Sequence, residues 1–370
     1  MLPTRRHFLQ KLSAWAGLAA FTPFWNTAAG RSLERALQDV SNLTPDETAI
    51  DETFWYQVKQ AYTVSPQILN LNNGGVSPQP LVVQEAVERY NRLSNEAPSY
   101  YMWQILDQGR EPLRAELAAL AGCEAEEIAI NRNSSEALET VIFGLRLQAG
   151  DEVVLTKQDY PNMINAWKQR EKREGIILKW ISFDFPIEDK ASIVKTFVDA
   201  FSPMTKVVHI THVINWMGQI LPAREIALEA KKRVSKCWST GAHPSAISSS
   251  KYPTWNAIIS GTSLHKWLCA PFGSGLLYVR KEKIAQLYPP LRRGATGRVR
   301  ISATGSLGTR SFAIEQAIGQ AIQFHLRSTK EIQECLFSRG VIPNRTMLHR
   351  RDDPLELKGK LGEKEIKCVH

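Results

Sequence analysis

Lys266 is the residue around which this sequence offers chemistry. It lies in Gly261-Thr262-Ser263-Leu264-His265-Lys266-Trp267-Leu268-Cys269-Ala270-Pro271-Phe272-Gly273-Ser274-Gly275, between a small hydroxylated segment and a glycine-rich turn, and the apolar run Leu276-Leu277-Tyr278-Val279 follows. A lysine that forms a Schiff base needs partial burial, which lowers its pKa, and nearby donors that hold an anion. This setting suits that chemistry, and it equally suits a surface lysine ahead of a hairpin. Upstream, Arg132-Asn133-Ser134-Ser135-Glu136 joins a strand pattern to a helix pattern. Amides and hydroxyls at such a helix start form a phosphate cradle, and the same residues also make an ordinary N-cap.

These residues must be positioned by the elements around them. The spacing predicts a polar helical arm from Ser32 to about Tyr62, a short strand Ile68–Leu71, then the glycine-rich turn Asn72-Asn73-Gly74-Gly75-Val76-Ser77-Pro78. Helical spacing follows over Pro80–Asn95 and Arg110–Gly122. From there strands (Glu127–Ile130, Glu152–Leu155, Ile176–Ile181, Lys206–Ile210) alternate with helices (Ser135–Leu147, Asn162–Glu174, Ser192–Phe201, Ala223–Lys232). Repeated βα units predict an α/β fold with a mostly parallel central sheet covered by helices on both faces. Ligands of such sheets bind at the carboxyl ends of the strands.

The 370 residues suggest two domains. With 43% hydrophobic residues, 22 Gly and 19 Pro, the composition excludes collagen, coiled coil, intrinsic disorder and a polytopic membrane protein. Five scattered cysteines without a C-x-x-C pair argue against a disulfide framework or a zinc site. Much of the net charge of +9 sits at the two ends of the chain. Arg5, Arg6 and Lys11 precede the apolar stretch Leu12–Phe21, and Thr27-Ala28-Ala29 has the small residues of a processing site, so residues 1–29 are expected to be a secretory signal. The apolar stretch falls short of a stable membrane span. A basic tail carries Arg339, Arg345, Arg350, Arg351, Lys358, Lys360, Lys364 and Lys367. No basic helix or aromatic–basic motif points to nucleic acid.

Ser263-Leu264-His265-Lys266 followed by Pro271-x-Gly273-x-Gly275-x-Leu277-Tyr278-Val279 resembles the lysine motif of class V aminotransferase-fold enzymes, the pyridoxal-phosphate (PLP) group that includes cysteine desulfurases and isopenicillin N epimerase-like proteins. The resemblance runs across roughly residues 66–325. It implies PLP fold type I, with Lys266 carrying the cofactor as a Schiff base and Ser263 and His265 bonding its phosphate. Ser134 and Ser135 take the phosphate turn. Tyr160, in Asp159-Tyr160-Pro161-Asn162, takes the place of the residue that stacks on the pyridine ring, where a flat π-system also excludes water. Asn215 would lie near the phenolic oxygen. Thr309, in Gly308-Thr309-Arg310, would reach the phosphate of a partner subunit, which implies a homodimer. The Asn72–Pro78 turn favours the epimerase-like branch. Arg5-Arg6 with Phe8-Leu9 and Lys11 resembles a twin-arginine signal, implying export of the folded protein to the periplasm by the twin-arginine machinery.

The implied organisation is a signal at 1–29, an N-terminal arm at 30–65, a large PLP-binding domain at 66–310, and an incomplete C-terminal domain with a basic tail at 311–370. The implied activity is on an amino acid, with Lys266 moving a proton at Cα in epimerase, transaminase or lyase chemistry. A cysteine desulfurase is the alternative. For that reaction Cys269 is too near Lys266, Cys335 sits on a helical pattern and Cys368 lies in the tail.

The chain departs from the family pattern in two places. Where the family has Asp-Gly-Ala-His, with the Asp pairing the pyridinium nitrogen, this chain has Thr240-Gly241-Ala242-His243, leaving His243 as a cofactor-side candidate. The preceding Val234–Ser239 is a poor buried strand. Reading the third base of each codon with the first two of the next permits, for suitable codons, Gly-Ile-Glu-Val-Leu-Val-Asp-Gly from Arg233–Gly241 and Ile-Pro-Asp-Leu-Glu-Cys-Asp-Tyr-Phe-Gly from Lys251–Gly261. Two compensated frameshifts, over about 234–240 and 244–260, would account for this departure, and an inactive, frameshifted or truncated family member is the third functional alternative. The second departure is the C-terminal stretch after a predicted helix at Ser311–Leu326, which is too short for the family's small domain. No substrate-carboxylate arginine is identified, Arg310 being a stand-in only.

Overall fold

The computed structural model describes residues 28–233, 238–242, 258–287 and 308–327. Residues 1–27 of the expected signal, His243, and the tail from 328 onward therefore lie outside the described residues.

The polar arm forms helices α1 (Ala28–Asp39) and α2 (Glu52–Gln60), joined through a short turn of helix capped by Thr44. Their apolar stripes, Leu33, Ala36, Val40 and Phe54, are buried. Next come α3 (Leu81–Glu96) and α4 (Arg110–Ala121), followed by the strand and helix alternation. The strands are β1 (Ile128–Asn131), β2 (Glu152–Thr156), β3 (Ile177–Ile181), β4 (Thr205–Thr211), β5 (Trp238–Ala242), β6 (Ile259–Ser263) and β7 (Gly275–Val279). Between them run α5 (Ser134–Gly144), α6 (Pro161–Glu174), α7 (Lys190–Asp199) and α8 (Ala223–Arg233), and the last described helix is α9 (Gly308–Arg327).

The seven strands form one sheet in the order β1-β7-β6-β5-β4-β2-β3. The run β6-β5-β4-β2-β3 is parallel, and β7 is antiparallel to both β6 and β1. Alternate side chains of each strand face opposite layers. Val153, Leu155 and Val207 pack under α5 and α6 with Leu138, Ile142 and Trp167. Val154, Val208 and Ile210 face α7 and α8 with Ile193, Phe197 and Ile226. At the other end of the sheet, Ile128, Leu276 and Tyr278 pack against α4 and α9 through Leu113, Leu117, Ile318 and Ile322. Helices thus cover both faces, and the predicted α/β architecture is the observed one.

Two local expectations are corrected. Ile68–Leu71 forms no strand: Ile68, Leu69 and Leu71 are exposed coil, and the ladder in that region is one bridge between Tyr62 and Pro80. A β-prone run without a partner edge has no hydrogen bonds or packing to hold it extended. The unpromising segment before Gly241 does contain a strand, since β5 pairs on both sides, Thr240 registering with His209 of β4 and with Ile259 of β6. Ladder hydrogen bonds come from the backbone, so a central slot between two formed strands tolerates a sequence with low strand propensity.

Candidate cofactor site

The elements converge at the carboxyl edge of the sheet. Asn133 caps α5 from an extended conformation, its side chain accepting the Glu136 N–H at 2.8 Å, while the Glu136 carboxylate accepts the Arg132 N–H at 2.7 Å. This double clasp fixes the first turn of α5. The Ser134 N–H donates to Ser263 Oγ at the end of β6 (3.0 Å), and that hydroxyl lies 3.1 Å from Ser134 Oγ. Ser135 Oγ accepts from Asn162 Nδ2 at 3.3 Å, which brings the start of α6 alongside the start of α5.

Two glycines permit this closeness. A Cβ on Gly275 would stand 2.5 Å from Asn131 Oδ1 and 2.6 Å from both the Cα and the N of Asn133; one on Gly261 would stand 2.8 Å from Leu138 Cγ. Only a residue without Cβ lets β6 and β7 approach the N-terminus of α5 this tightly. The result is a close group of helix-terminal N–H groups and hydroxyls, which is the donor set an anionic phosphate requires.

Lys266 follows directly, half-buried in the turn after β6. Burial pushes its ammonium pKa below the ordinary lysine range. The neighbouring His265 is also pulled below its usual range, by burial first, with Lys266 adding to it; its Nδ1 lies 2.9 Å from the Ser274 carbonyl. A carbonyl accepts only, so Nδ1 carries the proton. The glycine-rich turn of the sequence pins this loop from the other side: the Ser77 N–H donates to the His265 carbonyl at 3.1 Å, and the Trp267 ring packs against Gly74. Cys269 closes the Lys266 turn in a left-handed conformation (φ 53°), its N–H on the Lys266 carbonyl. Burial raises its thiol pKa to about 11, against the lowering effect of hydrogen bonds with Ser77 and Tyr62.

Ser134, Ser135, Ser263, His265 and Lys266 are therefore brought together. Tyr160 stands at the N-cap of α6, 41% exposed, with its segment tied to that of Asn215 through Trp216 Nε1 donating to the Gln158 carbonyl at 3.3 Å. Asn215 itself is exposed in the turn after β4. Thr309 lies in the first turn of α9, and His243 is outside the described residues.

Sequence reasoning passed over three contributors: Asn162, Ser77 and Asp159. Asp159 is buried, and its Oδ1 accepts from the Thr211 hydroxyl and lies 3.3 Å from His209 Nε2. Its adjacency to Tyr160 was the available signal. The residues present fit a PLP group at its two reactive ends. The α5 donors suit the phosphate, and a half-buried lysine with a lowered pKa suits an aldehyde.

Comparison with known proteins agrees. A match to the family described as aminotransferase class-V covers residues 69–312. The isopenicillin N epimerase of Streptomyces clavuligerus is 28% identical over 235 residues, covering 64% of this chain and 59% of its own. A probable cysteine desulfurase of Synechocystis sp. is 28% identical over 295 residues, covering 72% of this chain and 68% of its own. Among solved structures, a lysine variant of C-DES with glycine covalently linked to its PLP cofactor superposes with a TM-score of 0.60 at 22% identity, covering 71% of this chain and 72% of that one. The chain thus spans about three-fifths of the length of the epimerases it matches.

Proposed function

The chain belongs to the class-V aminotransferase family, has PLP fold type I and takes pyridoxal phosphate as its cofactor, and from that premise we propose that it acts on an amino acid by moving the Cα proton with Lys266. When bound, the cofactor supplies an electron sink that acidifies the Cα–H. The α5 amides of Ser134 and Ser135 and the Ser263 hydroxyl would hold the phosphate, with His265 assisting them. Tyr160, half exposed at the N-cap of α6, would cover one face of the ring and keep water from it. The resemblance would give Asn215 the phenolic oxygen and Thr309 the phosphate of a second subunit in a homodimer, and it leaves His243, outside the described residues, as a further cofactor candidate. Lys266 then takes and returns the proton as a neutral amine.

The observation that carries this reading is the half-buried Lys266 with its lowered pKa, next to the Ser134–Ser263 cradle. A base works best when its pKa approaches the working pH, and burial moves an amine in that direction. The test is exchange of the Cα–H for deuterium in a panel of amino acids, followed by NMR with PLP-loaded wild-type and Lys266→Ala protein. Exchange in the wild type alone supports the proposal, and equal exchange in both removes Lys266 from the role. Epimerisation, transamination or elimination is then assigned from the product. We also propose that the chain is exported through its Arg5-Arg6 signal to the periplasm, which a reporter fusion of residues 1–29 tests directly.

Cysteine desulfurase chemistry is the second reading, favoured by the Synechocystis relative. Among the described residues the free thiols are Cys123 and Cys269: burial, with the Glu127 and Glu124 charges beside it, raises the Cys123 thiol to about 12, and Cys269 is locked under the Lys266 turn with its pKa also raised. A desulfurase would need its nucleophile from Cys237, Cys335 or Cys368, and sulfide release from cysteine decides between the two readings.

A further inference from the structure

We propose that Tyr62, just after α2 at the end of the N-terminal arm, is a positioning residue for Lys266, acting through Cys269 and Ser77; this rests on the reading of Lys266 as the reactive amine. The turn that carries the lysine contains a backbone conformation its own residues do not favour. Cys269 stands at φ 53°, the one non-glycine residue with positive φ among the described residues. In that left-handed region Cβ crowds the following carbonyl, so an L-residue stays there only where its surroundings hold it. Glycine occupies the region freely, as Gly218 and Gly273 do at φ 73° and 80°. The reversal at Cys269 closes the loop around the lysine. The Cys269 N–H donates to the Lys266 carbonyl at 3.1 Å, and the next residue, Ala270, donates back to the Leu264 carbonyl at 3.2 Å. Leu264, Leu268 and Ala270 are thereby packed in the core, and Lys266 is left half-buried.

The hold is applied at the thiol. Cys269 Sγ hydrogen-bonds with the Tyr62 hydroxyl and with Ser77 Oγ, and Ser77 Oγ donates to the Asn73 carbonyl at 3.1 Å. Burial keeps the thiol protonated, its pKa being raised to about 11. Ser77 has one hydroxyl proton and gives it to Asn73, so it accepts from the thiol, and the thiol accepts from Tyr62. The two middle groups of this chain each donate once and accept once. Both of its ends are anchored. The Tyr62 ring packs edge-on against Phe324 of α9, with centroids 6.0 Å apart, and Tyr62 bridges to Pro80. Asn73 belongs to the glycine-rich turn whose Ser77 N–H already holds the His265 carbonyl. Without the Tyr62 hydroxyl, Cys269 relaxes toward negative φ, the loop from Leu264 to Ala270 opens, and water that reaches Lys266 stabilises its charged form.

The test reads Lys266 in the apoprotein, by competitive labelling with acetic anhydride across pH and mass spectrometry of the peptide that contains it. The neutral amine is the form acylated, so the labelling midpoint follows the pKa of Lys266 itself. Tyr62→Phe keeps the ring against Phe324 and removes the hydroxyl, and its midpoint is expected to rise from the wild-type position toward the ordinary lysine range. Adding Cys269→Gly to Tyr62→Phe should return the midpoint to the wild-type position, because glycine holds the left-handed φ without help. A merely structural role for Tyr62 would lower stability without that return. Where Tyr62→Phe fails to fold, judged by urea unfolding, Ser77→Ala, which keeps the backbone N–H on His265, carries the same expectation and the same rescue. A midpoint that the variant leaves in place, or that Cys269→Gly does not return, overturns the inference. Borohydride trapping of PLP on Lys266 is read separately in wild type, so failure of the cofactor reading shows as an absent adduct and failure of this inference as an unmoved or unrescued midpoint.

Discussion

Gly275→Ala is the sharpest mutational probe of the site. The added Cβ meets the Asn133 backbone at 2.6 Å and Asn131 Oδ1 at 2.5 Å, and neither Asn133 atom can rotate away. Restoring ordinary contact from 2.6 Å to 3.4 Å requires β7 and the N-cap of α5 to part by roughly 0.8 Å. Overpacking of this kind costs about 1–3 kcal/mol of stability. The same displacement moves the Ser134 amide off the phosphate position, and losing one charge-assisted hydrogen bond costs a further 1.5–3 kcal/mol or so of binding, roughly ten- to a hundredfold in Kd. Urea unfolding of the apoprotein reads the first effect, and fluorimetric titration with PLP reads the second. A stability loss below about 0.5 kcal/mol with unchanged PLP affinity would refute the claim that glycine at 275 sets the width of the cradle.

Three further outcomes are expected. Burial lowers the Lys266 pKa, so between that value and the unfolded one the unfolded chain binds more protons. The charged lysine therefore costs apoprotein stability at neutral pH, and the cost fades as pH rises through its folded pKa. Apo Lys266→Met should unfold at higher urea than wild type at pH 7, with the gap closing toward pH 10; a gap independent of pH contradicts the burial account. Arg170→Ala should destabilise by about 2–4 kcal/mol in urea unfolding, since the buried guanidinium satisfies the Ile142 and Leu145 carbonyls at the end of α5 and pairs with Glu174; a loss under about 1 kcal/mol would remove it from that role. Cys269, with its thiol pKa at about 11, should stay unalkylated by iodoacetamide at pH 8 in the native protein, as peptide mass spectrometry reads directly.

The regular elements were legible because each carries its own period. Helices at 81–96, 110–121, 161–174 and 308–327 stand within a few residues of where apolar spacing and punctuation put them, Pro161 opening α6 and Gly175, with φ 70°, closing it. The errors fall where long-range context decides. Ile68–Leu71 has strand composition without a partner edge, and Trp238–Ala242 has a partner on each side without strand composition. The site divides in the same way. Lys266 and the two serines stand out because local motifs announce them. Ser77 on His265, Asn162 on Ser135 and Asp159 beside His209 span separations that no local pattern encodes.

The central claim is that Lys266 holds the cofactor. Incubating purified protein with PLP, reducing with borohydride and mapping the modified peptide by mass spectrometry tests it directly. A phosphopyridoxyl group on Lys266, absent from Lys266→Ala, is the predicted result; an unmodified chain, or the group on any other lysine, contradicts it.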